Sequence, residues 1–261
     1  MNLAILQARM SSSRFPGKVL KPLAGKPMLL QQIDRIKKSE FIDKLIVATT
    51  VDTSDDAIAL MCEENNILYY RGSMENVLER FYQISRIYEP KNIIRLTGDC
   101  PLIDSDIIDQ VIERHLNQKN DYTSNTISPT FPDGLDTEVF TMKALEEIFK
   151  KANRPSLKEH VTLYIHENPA SFKIENIANA ENLSNHRWTV DEPEDYELVY
   201  LIYEGLYSNK PDFTFHDILK FLNENTELQK LNAVYKRNEG LRKSLNQEYE
   251  RIKNLNRKGM E

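Results

Sequence analysis

Arg9, Arg14 and Lys18, with Lys21 and Lys26 close behind, occupy a stretch in which no Asp or Glu appears before Asp34. Guanidinium forks grip oxyanions bidentately, and a lysine adds a compact point charge. Between them lie Ser11, Ser12, Ser13 and Gly17, small residues among which backbone amides can approach a ligand. Five positive charges gathered in a chain of formal net charge −6 suit a polyanion such as a triphosphate. The plainer alternative is a solvated basic loop. Neither GxxxxGK[ST] nor GxGxxG occurs, so a phosphate cradle here relies on side-chain cations and amides.

Two carboxylates add to this set. Asp99 lies in GDCP and Asp191 in RWTVDEPED, each where an apolar run ends. Mg2+ keeps most of its waters and takes only one or two protein carboxylates, so hard oxygens at two strand ends suit a magnesium triphosphate. Alternatively, Asp99 caps the helix after it and Asp191 opens a turn. His160 and His166 are six apart, off the spacing of one helical face, and HExxH is absent. His160 is either a substrate contact or a half-buried helix residue. Cys100 has no visible histidine partner and reads as a small buried hydrophobe. Asp133, Asp136 and Glu138 surround a glycine in PDGLDTEVF and either bond a polyhydroxyl acceptor or form a solvated turn.

The elements that must position these groups alternate. Residues 3–8 predict a buried strand delivering Arg9 at its end; 44–50, 67–70 and 92–97 predict further strands. Helices are expected at 27–39, 53–61, 74–88 with Ser73 as N-cap, and 104–117. This βαβαβαβα order predicts an α/β fold: a three-layer α/β/α, doubly wound, mostly parallel sheet. Ligands of such sheets bind outside the carboxyl ends of the strands, so Arg9 and Asp99 should face one cleft. Later, 121–125, 137–140 and 172–177 read as strands and 142–152 and 156–168 as helices. Residues 187–190 read as a strand packed on a helix over 194–207, with Pro193 in its first turn, and 215–223 as a further helix. Residues 1–225 are expected to form one domain. Residues 226–261 form a highly charged, helix-prone extension that packs on the body, packs on a second subunit or frays.

A hydrophobic fraction of 40% over 261 residues allows a sizeable core. The acidic balance argues against a broad nucleic-acid groove. No apolar run approaches the ~20 residues of a spanning helix, and residues 3–8 are too short for a secretory h-region. Cys62 and Cys100 fit neither a disulfide framework nor a zinc spacing. A cytoplasmic protein is expected, without membrane or nucleic-acid partners.

Five segments, QARMSSSRFPGKVL, YRGSMENVLERF, RLTGDCPLID, FPDGLDTEVF and RWTVDEPEDYELV, occur in that order. Together they resemble the spore coat polysaccharide biosynthesis cytidylyltransferase family, a branch of the acylneuraminate and octulosonate (Kdo) cytidylyltransferases, over about residues 2–200. The resemblance implies a GT-A-like nucleotidyltransferase fold, CTP as donor and Mg2+ as cofactor. It implies a nucleotide site of Leu6, Gln7, Ala8, Arg9, Ser12, Arg14, Lys18, Arg71, Ser73, Thr97 and Asp99. In that site Arg9, Arg14 and Lys18 would take the triphosphate, and Leu6 to Ala8 (mainly by backbone), Arg71 and Ser73 the cytosine and ribose. Asp99 and Asp191 would hold magnesium and, with the three cations, form the catalytic set. Asn125, Asp133, Asp136, Glu138, His160 and Arg187 fall where the acceptor pocket should be. Asn76 stands where this branch more often has an acid. A homodimer is implied by the resemblance only.

The expected function is transfer of CMP from CTP to a sugar acid, sugar or related small acceptor, with release of pyrophosphate, for a surface glycan. A nucleotide-sugar glycosyltransferase is the alternative, separated by whether pyrophosphate is released; no convincing DxD follows an early strand. A non-catalytic scaffolding subunit is a second alternative, for which Asp99→Ala would be silent and loss of residues 227–261 would not.

Overall fold

Leu3 to Leu6 form an apolar run with no polar face, and both faces of the strand they make are covered. The computed structural model describes residues 1–258. In chain order it contains β1 (Asn2–Gln7), the hairpin β2 (Pro22–Leu23) and β3 (Lys26–Pro27), α1 (Met28–Ile36), β4 (Lys44–Thr50), α2 (Asp56–Glu64), β5 (Tyr69–Gly72) and α3 (Val77–Tyr88). Next come β6 (Asn92–Thr97), α4 (Ser105–Gln118), β7 (Tyr122–Ser124), β8 (Glu138–Thr141) and α5 (Met142–Lys151). They are followed by α6 (Pro155–Glu159), α7 (Leu163–Glu167), β9 (Ile174–Asn176), α8 (Pro193–Leu206), α9 (Phe215–Glu224) and α10 (Glu239–Lys258).

Seven strands form one sheet in the order β5-β4-β1-β6-β8-β7-β9. β5, β4, β1 and β6 are parallel, and only β8 runs against its neighbours. From β1 the chain steps outward to β4 and β5, then crosses to place β6 on the other side of β1. The winding reverses there, so the crevice between the ends of β1 and β6 is the switch point where such sheets bind ligands.

Ala4, Leu6, Val47, Ile94 and Val139 pack under α1, α2 and α4, while Leu3, Ile5, Ile46, Ile93 and Phe140 pack under α3, α5 and α7. The expected three-layer α/β/α sheet is therefore present. A third cluster around Trp188 joins α8 and α9 to Leu23, Met28 and Leu102 at the edge of the first layer. No helix among the described residues is long and apolar enough to cross a membrane.

Three local expectations are corrected, and one left open is decided. Ser73 does not cap the third long helix: Asn76 does, its Oδ1 accepting from the Glu79 amide at 3.0 Å, while the Ser73 hydroxyl accepts from the Asn76 amide. The helix expected over 156–168 is two short turns, α6 and α7, broken at His160–Thr162. Residues 187–190 form no strand: they run extended beside Asp133, bonding through Trp188 N to Asp133 O (2.6 Å). The 226–261 extension, of which 259–261 lie outside the described residues, packs on the body. Its helix α10 meets α6, where Ser156 Oγ donates to Glu248 Oε2 at 2.6 Å.

Gly134 lets the 187–190 segment approach. Its φ is +110°, and a Cβ there would lie 2.6 Å from the Trp188 carbonyl carbon and the Thr189 nitrogen. Gly134→Ala is expected to cost about 2–4 kcal/mol. Denaturant unfolding tests this, and an unchanged midpoint would show that the contact is not needed.

Candidate active site

Three segments are drawn to the switch point by backbone bonds. The basic loop leaves β1 at Ala8, whose amide still bonds Ala48 O at 3.1 Å, and is anchored at Met10 N by the Asp55 carboxylate at 2.7 Å. Asp55 is fully buried and also takes the Thr50 amide and hydroxyl, so an acid outside the loop fixes its start. Gly17 N closes the loop on Met10 O at 2.9 Å, and a short 3-10 turn over Lys18–Leu20 turns Lys18 inward. From β6, Gly98 N bonds Gln7 O at 2.8 Å, placing Asp99 beside the loop. The Asp99 carbonyl accepts from Val190 N at 2.7 Å and Thr189 Oγ1 at 3.3 Å, which brings in Asp191.

These ties converge on one ammonium. Lys18 Nζ lies 3.3 Å from Asp99 Oδ2, 2.8 Å from Asp191 Oδ1 and 2.6 Å from the Val190 carbonyl, with 8% of the side chain exposed. Burial works against its charge, but Asp99 and Asp191 outweigh it and hold Lys18 above the ordinary lysine range. Burial likewise pushes the Asp99 carboxyl up, yet Lys18 and bonds from Thr97 and Cys100 leave it below the usual carboxylate range. Asp191 Oδ2 receives Arg14 at 2.8 Å and Arg187 at 3.4 Å. Arg187 is itself held by the fully buried Asp195 through two bonds of 2.8 Å, and Asp195 also takes the amides of Asp191 and Glu192. Asp99 does not play the capping role that was its alternative, since Asp104 caps α4; Asp191 stands two residues before α8, whose N-cap is Glu192.

Around this centre opens a cavity of about 480 Å3. Gln7, Ala8, Arg9, Ser12, Arg14, Lys18, Thr97, Asp99, His160 and Asp191 all line it. His160 Nε2 has no hydrogen-bond partner, and burial keeps the imidazole below its ordinary pKa, hence neutral at pH 7. The Cys100 thiol is pushed well up by burial with Asp99 beside it, which suits an inert thiol. Lys21 and Lys26 turn away, Lys21 over the Phe15 and Tyr196 rings and Lys26 to Asp34.

The other expected residues do not line the cavity. Leu6 is buried within β1. Arg71 bonds the carbonyls of Thr50 and Asp52 and pairs with Asp56 at 2.7 Å. Ser73 serves the turn before α3. Asn125 is fully buried with its amide on Leu135 O (2.8 Å) and Thr137 N (2.9 Å), pinning the loop between β7 and β8. Glu138 lies below the floor, paired with Arg95 at 2.5 Å and receiving Tyr122 and Thr162 hydroxyls at 2.9 Å. Asp133 and Asp136 face Arg187 and Arg237; burial raises the Asp136 carboxyl to about 7 against the pull of Arg237.

Sequence reading missed Arg80, Arg95 and the inner face of α10, all of which line the cavity. Two of these carried a signal. Arg95 is the lone charge in the apolar strand NIIRLT, and Arg80 falls on the stripe of Val77, Phe81 and Ile84. From α10, Glu239 reaches Arg14 at 3.6 Å, Ser244 Oγ donates to Glu159 at 2.7 Å, and Lys243 and Gln247 complete the wall. Among the described residues no three His, Cys, Asp or Glu converge as a metal-binding group. Asp99 and Asp191 are the pair available to a cation.

The Cytidylyltransferase family model matches residues 3–254. Spore coat polysaccharide biosynthesis protein SpsF of Bacillus subtilis is 35% identical over 232 residues, which span 86% of this chain and 95% of SpsF. A solved cytidylyltransferase from Leptospira borgpetersenii superposes with a TM-score of 0.83 at 31% identity, covering 87% of this chain and 95% of that one. CMP:2-keto-3-deoxy-manno-octonic acid synthetase, solved in complex with CTP, shares the fold with a TM-score of 0.60 at 16% identity over 78% of this chain and 99% of its own. With a family match over nearly its whole length, and with both acids and all three cations of the motif segments gathered at the sheet's switch point, the chain belongs to the cytidylyltransferase family and is a nucleotidyltransferase.

Proposed function

We propose that this enzyme transfers CMP from CTP to a sugar acid or a related small acceptor, releasing pyrophosphate, in the cytoplasm and toward a surface glycan. The observation that carries this reading is Lys18 Nζ lying between Asp99 and Asp191 in a cavity also lined by Arg9 and Arg14. A triphosphate needs dense positive charge, and a divalent ion needs a few hard oxygens; both donor sets meet here.

Magnesium fits the donor set. Asp99 Oδ1 carries a 3.4 Å contact from the Cys100 thiol, both Asp191 oxygens are held by Lys18, Arg14 and Arg187, and Mg2+ is satisfied by as little as one carboxylate plus water. When bound, the ion would withdraw charge from the reacting phosphate as a Lewis acid. The protein's own residues supply the rest. Arg9 and Arg14 bind phosphate oxygens with their forks, and Lys18, its three donors on Asp99, Asp191 and the Val190 carbonyl, fixes the two carboxylates beside the triphosphate. The acceptor hydroxyl oxygen forms the new bond to the α-phosphorus as the bond from that phosphorus to the α–β bridge oxygen breaks; the bridge oxygen leaves with the electron pair on pyrophosphate, and the hydroxyl proton is given up to solvent. His160 lines the cavity and burial favours its neutral imidazole, but its Nε2 is enclosed by protein 3.7 Å from Glu159, so it shapes the wall and is not assigned the acceptor's proton. Glu138 and Arg95 brace the floor as a buried pair.

Incubated with Mg2+, CTP and a panel of sugar acids, the enzyme is expected to release pyrophosphate with at least one acceptor and to prefer CTP over the other nucleoside triphosphates. No turnover with any acceptor, together with no Mg–CTP binding, would overturn the reading. Asp99→Asn and Asp191→Asn are each expected to lower turnover about 10²-fold or more. The pH dependence of stability follows from the sign of the Asp99 shift. Its folded value lies below its ordinary 3.8, so its stabilisation is complete above that value and is lost as pH falls through the folded one. Between about pH 5 and about pH 3 the melting temperature of Asp99→Asn should therefore fall less than that of the parent; parallel curves would contradict the ion pair.

A further inference from the structure

Arg80 lies near the start of α3 with 2% of its surface exposed, and it lines the same cavity as Arg9 and Lys18. Its Nη1 donates to the Ser73 carbonyl at 2.8 Å, but its Nε is buried with no partner. The other arginines enclosed in the body each have a partner on Nε, although Arg35 too lacks a carboxylate. Arg35 donates to two carbonyls and stacks on Phe213, Arg95 pairs with Glu138, and Arg187 with Asp195. Arg80 has no carboxylate partner among the described residues. The charges that act on it are Arg9, which opposes it, and Asp55, whose oxygens are already taken by Met10 and Thr50. Burial, with Arg9 beside it, pulls the guanidinium down to about 10.

A buried cation without a counter-charge is costly, and removing such a group normally relieves the fold. Yet the chain is shaped to hold this one. A Cβ on Gly72 would stand 2.8 Å from Arg80 Cγ and 3.0 Å from the Tyr70 ring, so the glycine at the end of β5 is what lets the arginine stem cross it. Unlike Arg35, which is closed off by two carbonyls and the Phe213 ring, Arg80 lines an open cavity, where a ligand can supply the missing counter-charge. Two neighbouring guanidiniums call for dense negative charge, as a phosphate chain carries and a single carboxylate does not.

We propose that Arg80 is a phosphate-binding residue of this enzyme, taking, with Arg9, an oxygen of the donor's triphosphate beyond the α-phosphate. The assignment rests on the nucleotidyl-transfer reading above and adds to its loop cations a binding group delivered from α3.

The test compares full-length parent, Arg80→Met and Arg80→Lys by titration calorimetry with Mg–CTP, CMP and inorganic tripolyphosphate, and by thermal unfolding without ligand. Loss of a charge-assisted bond should weaken CTP and tripolyphosphate about tenfold or more in Arg80→Met, and CMP less than about threefold. The ligand-free melting temperature should stay level or rise, and Arg80→Lys should recover part of the affinity. An arginine that only supports the fold would lower that temperature and weaken CTP and CMP in equal ratio; that result overturns the proposal. So does an Arg80→Met affinity for CTP within about twofold of the parent. Should the parent bind tripolyphosphate but not CTP, the cytidylyl reading fails while the Arg80 contrast still stands or falls on tripolyphosphate.

Discussion

One buried ammonium sets the terms for this site. Lys18 is a residue type almost never found buried unpaired, and its enclosure requires two carboxylates and a carbonyl within bonding reach. Those acceptors come from the end of β6 and from the stretch before α8, far apart in the chain. The fold therefore has to bring the basic loop, the GDCP turn and the RWTVDEPED segment to one point before Lys18 can be enclosed. The backbone bonds from Gly98 to Gln7 and from Val190 to the Asp99 carbonyl do this without the charges, so the ionic centre is pre-organised rather than self-assembled.

The centre is extended by a second, deeper pair. Arg187 and Asp195 meet through two parallel bonds, and Asp195 also accepts the Asp191 and Glu192 amides and the Asn232 side chain. Asp191 is thereby fixed in backbone and side chain alike. From Arg187 the network runs through Asp133 to Arg237, which also contacts Asp136 and donates to the Phe131 carbonyl at 3.1 Å. The residues between α9 and α10 are thus wired into the site by charge, and α10 follows as one of its walls.

How far the sequence foretold this divides along physical lines. The parallel half of the sheet was legible because β1, β4 and β6 are covered on both faces, and only continuous apolar runs such as Leu3–Leu6 satisfy that. Arg9, Arg14, Lys18 and Asp99 stood out because each follows a strand end or sits in a charge-biased loop, and Asp191 because an apolar run ends at it. What escaped depends on contacts distant in sequence. Nothing local says that Glu138 lies under Arg95, or that Asn125 spends its amide on Leu135 and Thr137 instead of on a substrate. The helix broken at His160 was hidden for another reason: its apolar spacing continues through the break, but the turn at Thr162 frees a hydroxyl for Glu138. The charged tail could be read as helical but not placed, since Glu239, Ser244 and Glu248 find partners only in the folded body.

Arg80 and Lys18 show two opposite ways of keeping a cation in one cavity. Lys18 carries its counter-ions with it, so its position is set by the protein and holds whether or not the cavity is filled. Arg80 has a shaped channel over Gly72 and a single carbonyl, which fix where it is but leave its charge unanswered. A cavity built only from paired cations would be rigid and electrostatically spent, with little field left for a polyanion. One built only from unpaired cations would repel itself and open. Pairing the ammonium at the centre while leaving guanidiniums unpaired beside it gives a pocket that stands without ligand and still has positive charge to offer.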